Sequence, residues 1–368
     1  MSRYPFTPHV GSLPETVPFV GPETQERQRG APFTARIGAN ESVFGPSPRA
    51  IAAMAAAAAE VWKYGDPENH DLKQALAAFH GVRPENIVVG EGIDCLLGYL
   101  VRMVVDPGTP VVTSAGAYPT FNYHVAGFGG RLDLTPYRDD REDGPALIAR
   151  AAALKAPLIY FANPDNPMGS FWPADDVQAM IDATPDGAIL CLDEAYIEFA
   201  ADGAAPPLDV GNPKVIRMRT FSKAYGMAGA RIGYAIAEAG LALAFNKVRN
   251  HFGVNRIALA GALAALEDQA YLADVRRQVA AARMRIGDIA RQHGLQPLAS
   301  AANFVAIDCG RDGAYARAIL QGLVAEGVFV RMPFAAPQDR CIRISAGKTA
   351  DLDAFQAALP KALAAAAA

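Results

Sequence analysis

The stretch Thr220-Phe-Ser-Lys-Ala-Tyr-Gly-Met-Ala-Gly-Ala-Arg231 lies between two apolar runs, residues 214–219 and 232–237. It reads as a tight connection carrying two aliphatic hydroxyls, a lysine and an arginine. Lys223 and Arg231 are eight residues apart, and Gly226 and Gly229 let the backbone turn sharply between them. A lysine held beside a second cation, out of bulk water, is a nucleophilic amine suited to a Schiff base with an aldehyde. The other reading of the same residues is an ordinary basic surface turn.

Working outward, the flanking runs belong to a series. Residues 87–90, 110–113, 132–134, 158–162, 188–192, 214–218 and 232–237 are short and continuously apolar, with mostly helical segments between the early ones. That pattern predicts an α/β fold with a seven-stranded, largely parallel sheet covered on both faces. Ligand groups then cluster at the carboxyl ends of the strands. Gly92, residues 118–123, residues 163–169, residues 193–196 and Ser222-Lys223 all follow predicted strands, so five loops converge on one sheet edge.

After residue 237 a long helical region runs to about residue 293, with an interruption expected at Asn255. The tail alternates strands and helices, which predicts a smaller α+β domain. We assign residues 1–45 to an N-terminal arm and part of this small domain, 46–274 to the large domain, and 275–368 to the rest of the small one. Residues 16–23 read as an extended arm.

The 368 residues are 51% apolar and 20% charged, a globular mixture with a sizeable core. A net charge of −4 gives neither a basic footprint for nucleic acid nor a polybasic membrane anchor. The first residues lack an apolar signal core, and the alanine-rich run at residues 50–59 is too short to span a bilayer. Four scattered cysteines form no Cys-x-x-Cys pair, and no metal site is expected. Reduced thiols in a cytoplasmic protein are the expectation.

Pyridoxal phosphate (PLP) is the cofactor that requires a Schiff-base lysine. Thr220 and Ser222 are placed to hold its phosphate, with Arg231 as charge partner. The strand-to-helix turn at Gly92 is an anion-binding arrangement. Asp193, at a strand end, can pair with a protonated pyridine nitrogen, or cap a helix together with Glu194. Asn166 and Tyr196 can donate to the phenolic oxygen. Phe121 either stacks on the cofactor ring or belongs to the core. Asn40 either donates to a substrate carboxylate or serves its turn. Tyr64 either offers a functional hydroxyl or anchors its loop.

With these residues assembled, the chain resembles the fold-type I PLP-dependent aminotransferases of class I/II, and most of all the histidinol-phosphate aminotransferases. The resemblance is carried by Ala39-Asn-Glu-Ser42, Lys63-Tyr-Gly-Asp-Pro-Glu68, Gly92-Ile-Asp94, Asn163-Pro-Asp-Asn-Pro-Met-Gly169, Asp193-Glu-Ala-Tyr196, Ser222-Lys223 with Arg231, and Cys341-Ile-Arg-Ile-Ser345, in the family's order. It implies that Lys223 forms the internal aldimine and shuttles the α-proton. It also implies that Asp193 holds the pyridine nitrogen, that Asn166 and Tyr196 flank the phenolic oxygen, and that Ile93, Asp94, Thr220, Ser222 and Arg231 take the phosphate. Tyr64 would reach the phosphate of a neighbouring subunit, giving a homodimer with shared active sites. Arg343 would bind the substrate carboxylate; Arg331 either adds a second cation or is a solvated arginine. The chain departs from the family pattern at Met168, at Gly347-Lys348 and at His124.

The implied activity transfers an amino group from an L-amino acid or amino-alcohol phosphate, histidinol phosphate foremost, to a 2-oxo acid acceptor such as 2-oxoglutarate. Within the fold the alternatives are an aromatic amino-acid aminotransferase and a threonine-phosphate decarboxylase. Outside it, the alternative is the ligand-sensing domain of a regulator, which needs a helix-turn-helix extension that this chain does not show.

Overall fold

The continuous apolar runs after residue 86 become strands because both faces are buried, where branched and aromatic side chains pack well on a pleat. The computed structural model describes residues 4–15 and 20–367. In chain order the elements are α1 (Pro8–Ser12), α2 (Pro22–Arg29), β1 (Ala35–Arg36), α3 (Pro48–Ala58), α4 (His70–His80), β2 (Ile87–Gly90), α5 (Ile93–Val104), β3 (Pro110–Ser114), α6 (Pro119–Gly127), β4 (Arg131–Thr135), α7 (Gly144–Leu154), β5 (Leu158–Ala162), α8 (Ala174–Ala183), β6 (Ile189–Asp193), β7 (Val215–Thr220) and β8 (Gly233–Ala237). There follow α9 (Ala239–Ala244), α10 (Arg256–Glu267), α11 (Gln269–Gln292), β9 (Gln296–Pro297), β10 (Phe304–Asp308), α12 (Gly313–Ala325), β11 (Val328–Phe329), β12 (Cys341–Ser345) and α13 (Thr349–Ala367).

The seven expected strands form one sheet, in the order β2-β8-β7-β6-β5-β3-β4. Strands β4, β3, β5, β6 and β7 run parallel, and β8 is antiparallel to both β7 and β2. The link from β7 to β8 holds only one turn of 3-10 helix, too little for a crossover, so β8 returns antiparallel. Thr220 pairs with Gly233, so the link leaves and re-enters at one edge of the sheet. Alternate strand residues face opposite layers. Val111, Leu158 and Tyr160 pack with Leu97 and Val101 of α5, whereas Val112, Ile159 and Leu190 pack with Leu147 of α7 and Val177 of α8.

The carboxyl-terminal part carries an antiparallel sheet, β12-β10-β9. Near the amino terminus, β1 pairs in parallel with β11 through Ala35–Val328 and Arg36–Phe329, which ties the two ends of the chain together. The interruption expected at Asn255 is present. Asn255 caps α10, its Oδ1 accepting from Ala258 N–H at 2.8 Å.

The described end of the expected extended arm, residues 20–23, departs from it by entering a helix at Pro22. Thr7 caps the short helix α1, and α2 opens with Pro22 and closes on Gly30 in the left-handed region. Residues 16–19 of the expected arm lie outside the described residues. Among the described residues, no helix is long and apolar enough to cross a membrane. All four cysteines are free thiols.

Candidate active site

A cavity of about 830 Å³ opens at the carboxyl ends of β5, β6 and β7. Most of the sequence-predicted residues meet there: Asn40, Ile93, Asp94, Asn166, Asp193, Tyr196, Thr220, Ser222, Lys223, Arg231, Arg331 and Arg343 all line it.

Asp193 is the last residue of β6 and is 5% exposed. Its Oδ2 accepts from the Tyr160 hydroxyl at 2.7 Å and its Oδ1 from Ala195 N–H at 2.9 Å. Burial pushes the carboxyl up to about 6, against these hydrogen bonds, which favour the anion. A buried acid held this way is a ready partner for a cationic ring nitrogen. Glu194, the other half of the acidic pair, points elsewhere. It binds Arg217 at 2.5 Å and Arg219 at 2.8 Å in a buried ion cluster.

Lys223 lies in the link after β7. Its Nζ sits 5.5 Å from the Tyr196 ring centroid and donates to the Asn40 carbonyl at 3.3 Å. The turn beneath it needs Gly226, whose φ is +69°, and a Cβ there would come within 2.2 Å of the Gly45 carbonyl oxygen. Gly229, by contrast, keeps ordinary dihedrals, and the left-handed residue at the end of the link is Arg231 itself, at φ 58°.

The Asn40 side chain is engaged at both its polar atoms within the protein. Its Nδ2 donates to the Tyr196 hydroxyl at 3.0 Å, and its Oδ1 accepts from Ser345 Oγ–H at 3.1 Å. Its φ of 57° is the turn conformation that asparagine tolerates. The turn reading of Asn40 therefore has structural content, and the Nδ2 expected to donate to a substrate carboxylate here donates to Tyr196 at the cavity wall.

One end of the cavity is an anion cup. The amino terminus of α5 contributes Ile93 and Asp94, and Thr220, Ser222 and Arg231 face it. Thr220 Oγ1 accepts from Ser222 N–H at 3.0 Å, which holds the two hydroxyl residues together. Gly92 stands behind the cup at φ +90°, and a Cβ there would lie 2.5 Å from Arg231 Nη2. Arg231 is also 3.9 Å from Asp94 and donates to the Ala228 carbonyl at 3.0 Å.

At the other end, the Arg343 guanidinium projects from β12, donates to Asn166 Oδ1, and lies 5.1 Å from the Phe304 ring centroid. Its Nε is buried without a hydrogen-bond partner among the described residues. Burial brings the guanidinium down to about 10, so it remains a cation at neutral pH. A half-buried cation with one unpartnered N–H fits an anionic ligand group. Arg331 lines the same end, and its guanidinium donates to the Val20 carbonyl.

Three candidate residues do not line this cavity: Gly92, which stands behind the cup, Phe121 and Tyr64. Phe121 is fully buried and stacks on Tyr160, with centroids 4.5 Å apart and rings 18° from parallel. It faces inward from the first turn of α6, and the aromatics that reach the cavity from that segment are Tyr118 and Tyr123. Tyr64 is 79% exposed on the outer surface beside Phe252, at 5.1 Å between ring centroids.

Residues 35–359 match the family model for aminotransferase class I and II. The chain belongs to the class I and II aminotransferases. It is 35% identical to histidinol-phosphate aminotransferase 1 of Mesorhizobium japonicum, over 92% of this chain and 94% of that one. It also superposes on the crystal structure of histidinol-phosphate aminotransferase from Sinorhizobium meliloti in complex with pyridoxal-5'-phosphate. There the TM-score is 0.95 and the identity 57%, over 99% of this chain and 98% of that one. L-threonine-O-3-phosphate decarboxylase from Porphyromonas gingivalis shares the fold, with a TM-score of 0.76 at 18% identity, over 89% and 98% of the two chains.

For this aminotransferase, sequence reasoning passed over Tyr160 and gave Tyr118 and Ser345 no role of their own. Tyr118 donates its hydroxyl to Asp94 Oδ1 at 2.8 Å, which steadies the acidic side of the cup. Ser345 anchors Asn40. Tyr160 was legible: it pairs with Cys191 across β5 and β6, so it shares a face with Asp193 two residues later.

Proposed function

We propose that this chain is a PLP-dependent aminotransferase that moves an amino group between an amino donor and a 2-oxo acid, with 2-oxoglutarate and glutamate as the exchange pair. Histidinol phosphate is the donor we favour, because the chain is 57% identical to a histidinol-phosphate aminotransferase over almost its whole length. The observation that carries the reading is that Lys223, Asp193 and Arg343 face one cavity whose far end is an anion cup.

PLP fits this donor set. When bound, it supplies an aldehyde for amines and a ring that stores the electrons released at the substrate α-carbon. Lys223 would hold it through Nζ, Asp193 would face its ring nitrogen, and Tyr196 with Asn166 would face its phenolic oxygen. Ile93, Asp94, Thr220, Ser222 and Arg231 would take its phosphate. The chain's own work follows from placement. Lys223 Nζ would take the proton from the substrate α-carbon and deliver it to the cofactor carbon that carried the aldehyde, as a cavity-lining amine can. Asn40 holds the Tyr196 hydroxyl in register. Arg343 orients the substrate through its anionic end, with Arg331 beside it.

The reading includes a homodimer. Tyr64 is too exposed to serve its own cavity, and it sits with Val61, Trp62 and Phe252 on an uncovered apolar surface, as a residue reaching a second subunit requires. It also includes a division into a large unit over residues 46–274 and a small one built from residues 1–45 and 275–368. The β1–β11 pairing between the two ends of the chain supports that division. Four free thiols agree with a cytoplasmic enzyme.

The test is a donor panel with 2-oxoglutarate, containing histidinol phosphate, phenylalanine, tyrosine and threonine phosphate. Formation of glutamate with histidinol phosphate at the highest kcat/KM is expected. Preference for the aromatic amino acids, or release of carbon dioxide from threonine phosphate, would reassign the substrate.

A further inference from the structure

The segment between Arg331 and Arg343 forms a strap along one wall of the cavity. The two arginines close its base as an antiparallel bridge, with Arg343 N–H donating to the Arg331 carbonyl at 2.7 Å. Met332, Pro333 and Phe334 line the cavity just beyond that base. Ala335 then packs on Gly116, where an added Cβ would lie 3.0 Å from the Ala335 Cβ. The strap returns through Arg340 into β12, which carries Arg343.

Arg340 is gripped from two sides. Its Nη1 and Nη2 donate to Asp140 Oδ1 and Oδ2 at 3.1 and 2.8 Å, and its Nε donates to Asp308 Oδ2 at 2.7 Å. Asp308 belongs to β10, the neighbour of β12, so that contact stays within one sheet. Asp140 lies in the loop after β4, the edge strand of the seven-stranded sheet, so its contact crosses from one sheet to the other. Gln338 Nε2 adds a donation to Asp140 Oδ1 at 3.3 Å.

The turn that presents Asp140 is anchored. Arg138 and Arg141 exchange backbone hydrogen bonds at 2.9 and 3.0 Å, and Asp139 and Asp140 between them stand at φ 50° and 58°. In a two-residue turn with both positions left-handed, the second favours glycine, and here it holds a carboxylate. Just past the turn, buried Glu142 accepts from Ser114 Oγ–H at 2.7 Å and from Ala162 N–H at 3.1 Å. Ser114 and Ala162 end β3 and β5, so the turn is fastened to the same sheet edge that carries Asp193.

We propose that Asp140 is a positioning residue: by clamping Arg340 it pins the strap to the central sheet, and so sets where Arg331 and Arg343 stand relative to Lys223. Neither Asp140 nor Arg340 lines the cavity. The clamp acts on the far end of a strap whose base holds both cavity arginines. The inference rests on the reading of those arginines as the end that takes a substrate anion.

The experiment measures the affinity of the holoenzyme for a five-carbon dicarboxylate, glutarate, at low ionic strength, from the cofactor absorbance change. Asp140→Gly suits the turn and removes the clamp. The Arg340 and Asp140 side chains are 26% and 25% exposed, so solvent screens their contact and the expected effect is moderate. Asp140→Gly is expected to bind glutarate about three- to fivefold more weakly. Affinity for pyridoxal phosphate, whose proposed ligands stand on the sheet side, is expected to stay within about twofold. Asp140→Asn keeps the turn and the side-chain shape without the charge, and is expected to show a loss of about twofold. Unchanged glutarate affinity in Asp140→Gly overturns the proposal, as does an equal loss of cofactor affinity, which marks a general loosening. Arg343→Ala separates the two readings. If it leaves glutarate binding intact, the anion-end reading fails and the clamp's role with it. If it abolishes binding while Asp140→Gly binds as wild type, the clamp alone is overturned.

Discussion

Tyr160 donates its phenolic hydrogen to Asp193 Oδ2 at 2.7 Å, across neighbouring strands of the central sheet. The Tyr160 ring is held in turn by stacking on Phe121. Asp193 is thus aimed at the cavity by a group that never reaches it through a loop. Tyr160→Phe removes one of the two hydrogen bonds recorded to the carboxylate. It is expected to lower kcat by about tenfold in steady-state assays, with little change in fold. Phe121→Leu is expected to leave kcat within about twofold, and to cost about 1–2 kcal/mol in denaturant titrations.

Asp193 also makes the cofactor-free protein sensitive to pH. Its carboxyl is raised by burial from an ordinary 3.8 to about 6 in the folded chain. A raised acid stabilises the fold below its unfolded value, and that stabilisation is lost as pH rises through the folded value. Ionising Asp193 between pH 4 and 6 therefore costs about 3 kcal/mol at most. Asp193→Asn is expected to flatten this part of the stability curve, read as Tm against pH. In the holoenzyme the same substitution is expected to lower kcat by about a hundredfold or more, because the ring nitrogen loses its anionic partner.

Arg343 carries the only buried arginine Nε without a partner in its end of the cavity among the described residues. Arg343→Ala is expected to raise KM for a dicarboxylate or phosphorylated substrate by about a hundredfold, with a smaller effect on kcat. Arg343→Lys is expected to recover only part of this, since an ammonium does not reproduce the planar fork. An unchanged kcat/KM in Arg343→Ala removes the residue from the site.

Away from the cavity, Glu194 is 1% exposed between Arg217 and Arg219. Burial alone would raise this carboxyl, and the two guanidiniums outweigh it and hold it below its ordinary range. Glu194→Gln leaves two buried cations with a neutral partner and is expected to cost about 3–5 kcal/mol. Chemical denaturation at neutral pH measures this. The loss shrinks toward low pH, where the wild-type carboxylate is itself protonated.

The sheet was legible because strands such as Leu158–Ala162 are apolar on both faces and long enough to stand out from their neighbours. Two-residue strands offer little pattern, so β9 and the partnering of β1 with β11 emerge only from tertiary contacts. Helix α2 was hidden by its polarity, although Pro22 and Gly30 mark its ends. In the site, the strand-end polar residues were readable because α/β sheets gather them at one edge. Phe121 was misplaced because sequence does not show which side of α6 faces the sheet.

The central claim is that Lys223 holds the cofactor. Its most direct test is borohydride reduction of the yellow holoenzyme, followed by peptide mapping by mass spectrometry. The account predicts a single reduced pyridoxyl adduct on Lys223, and neither adduct nor transamination in Lys223→Ala. An adduct on a different lysine, or a Lys223→Ala protein that transaminates at the wild-type rate, would contradict it.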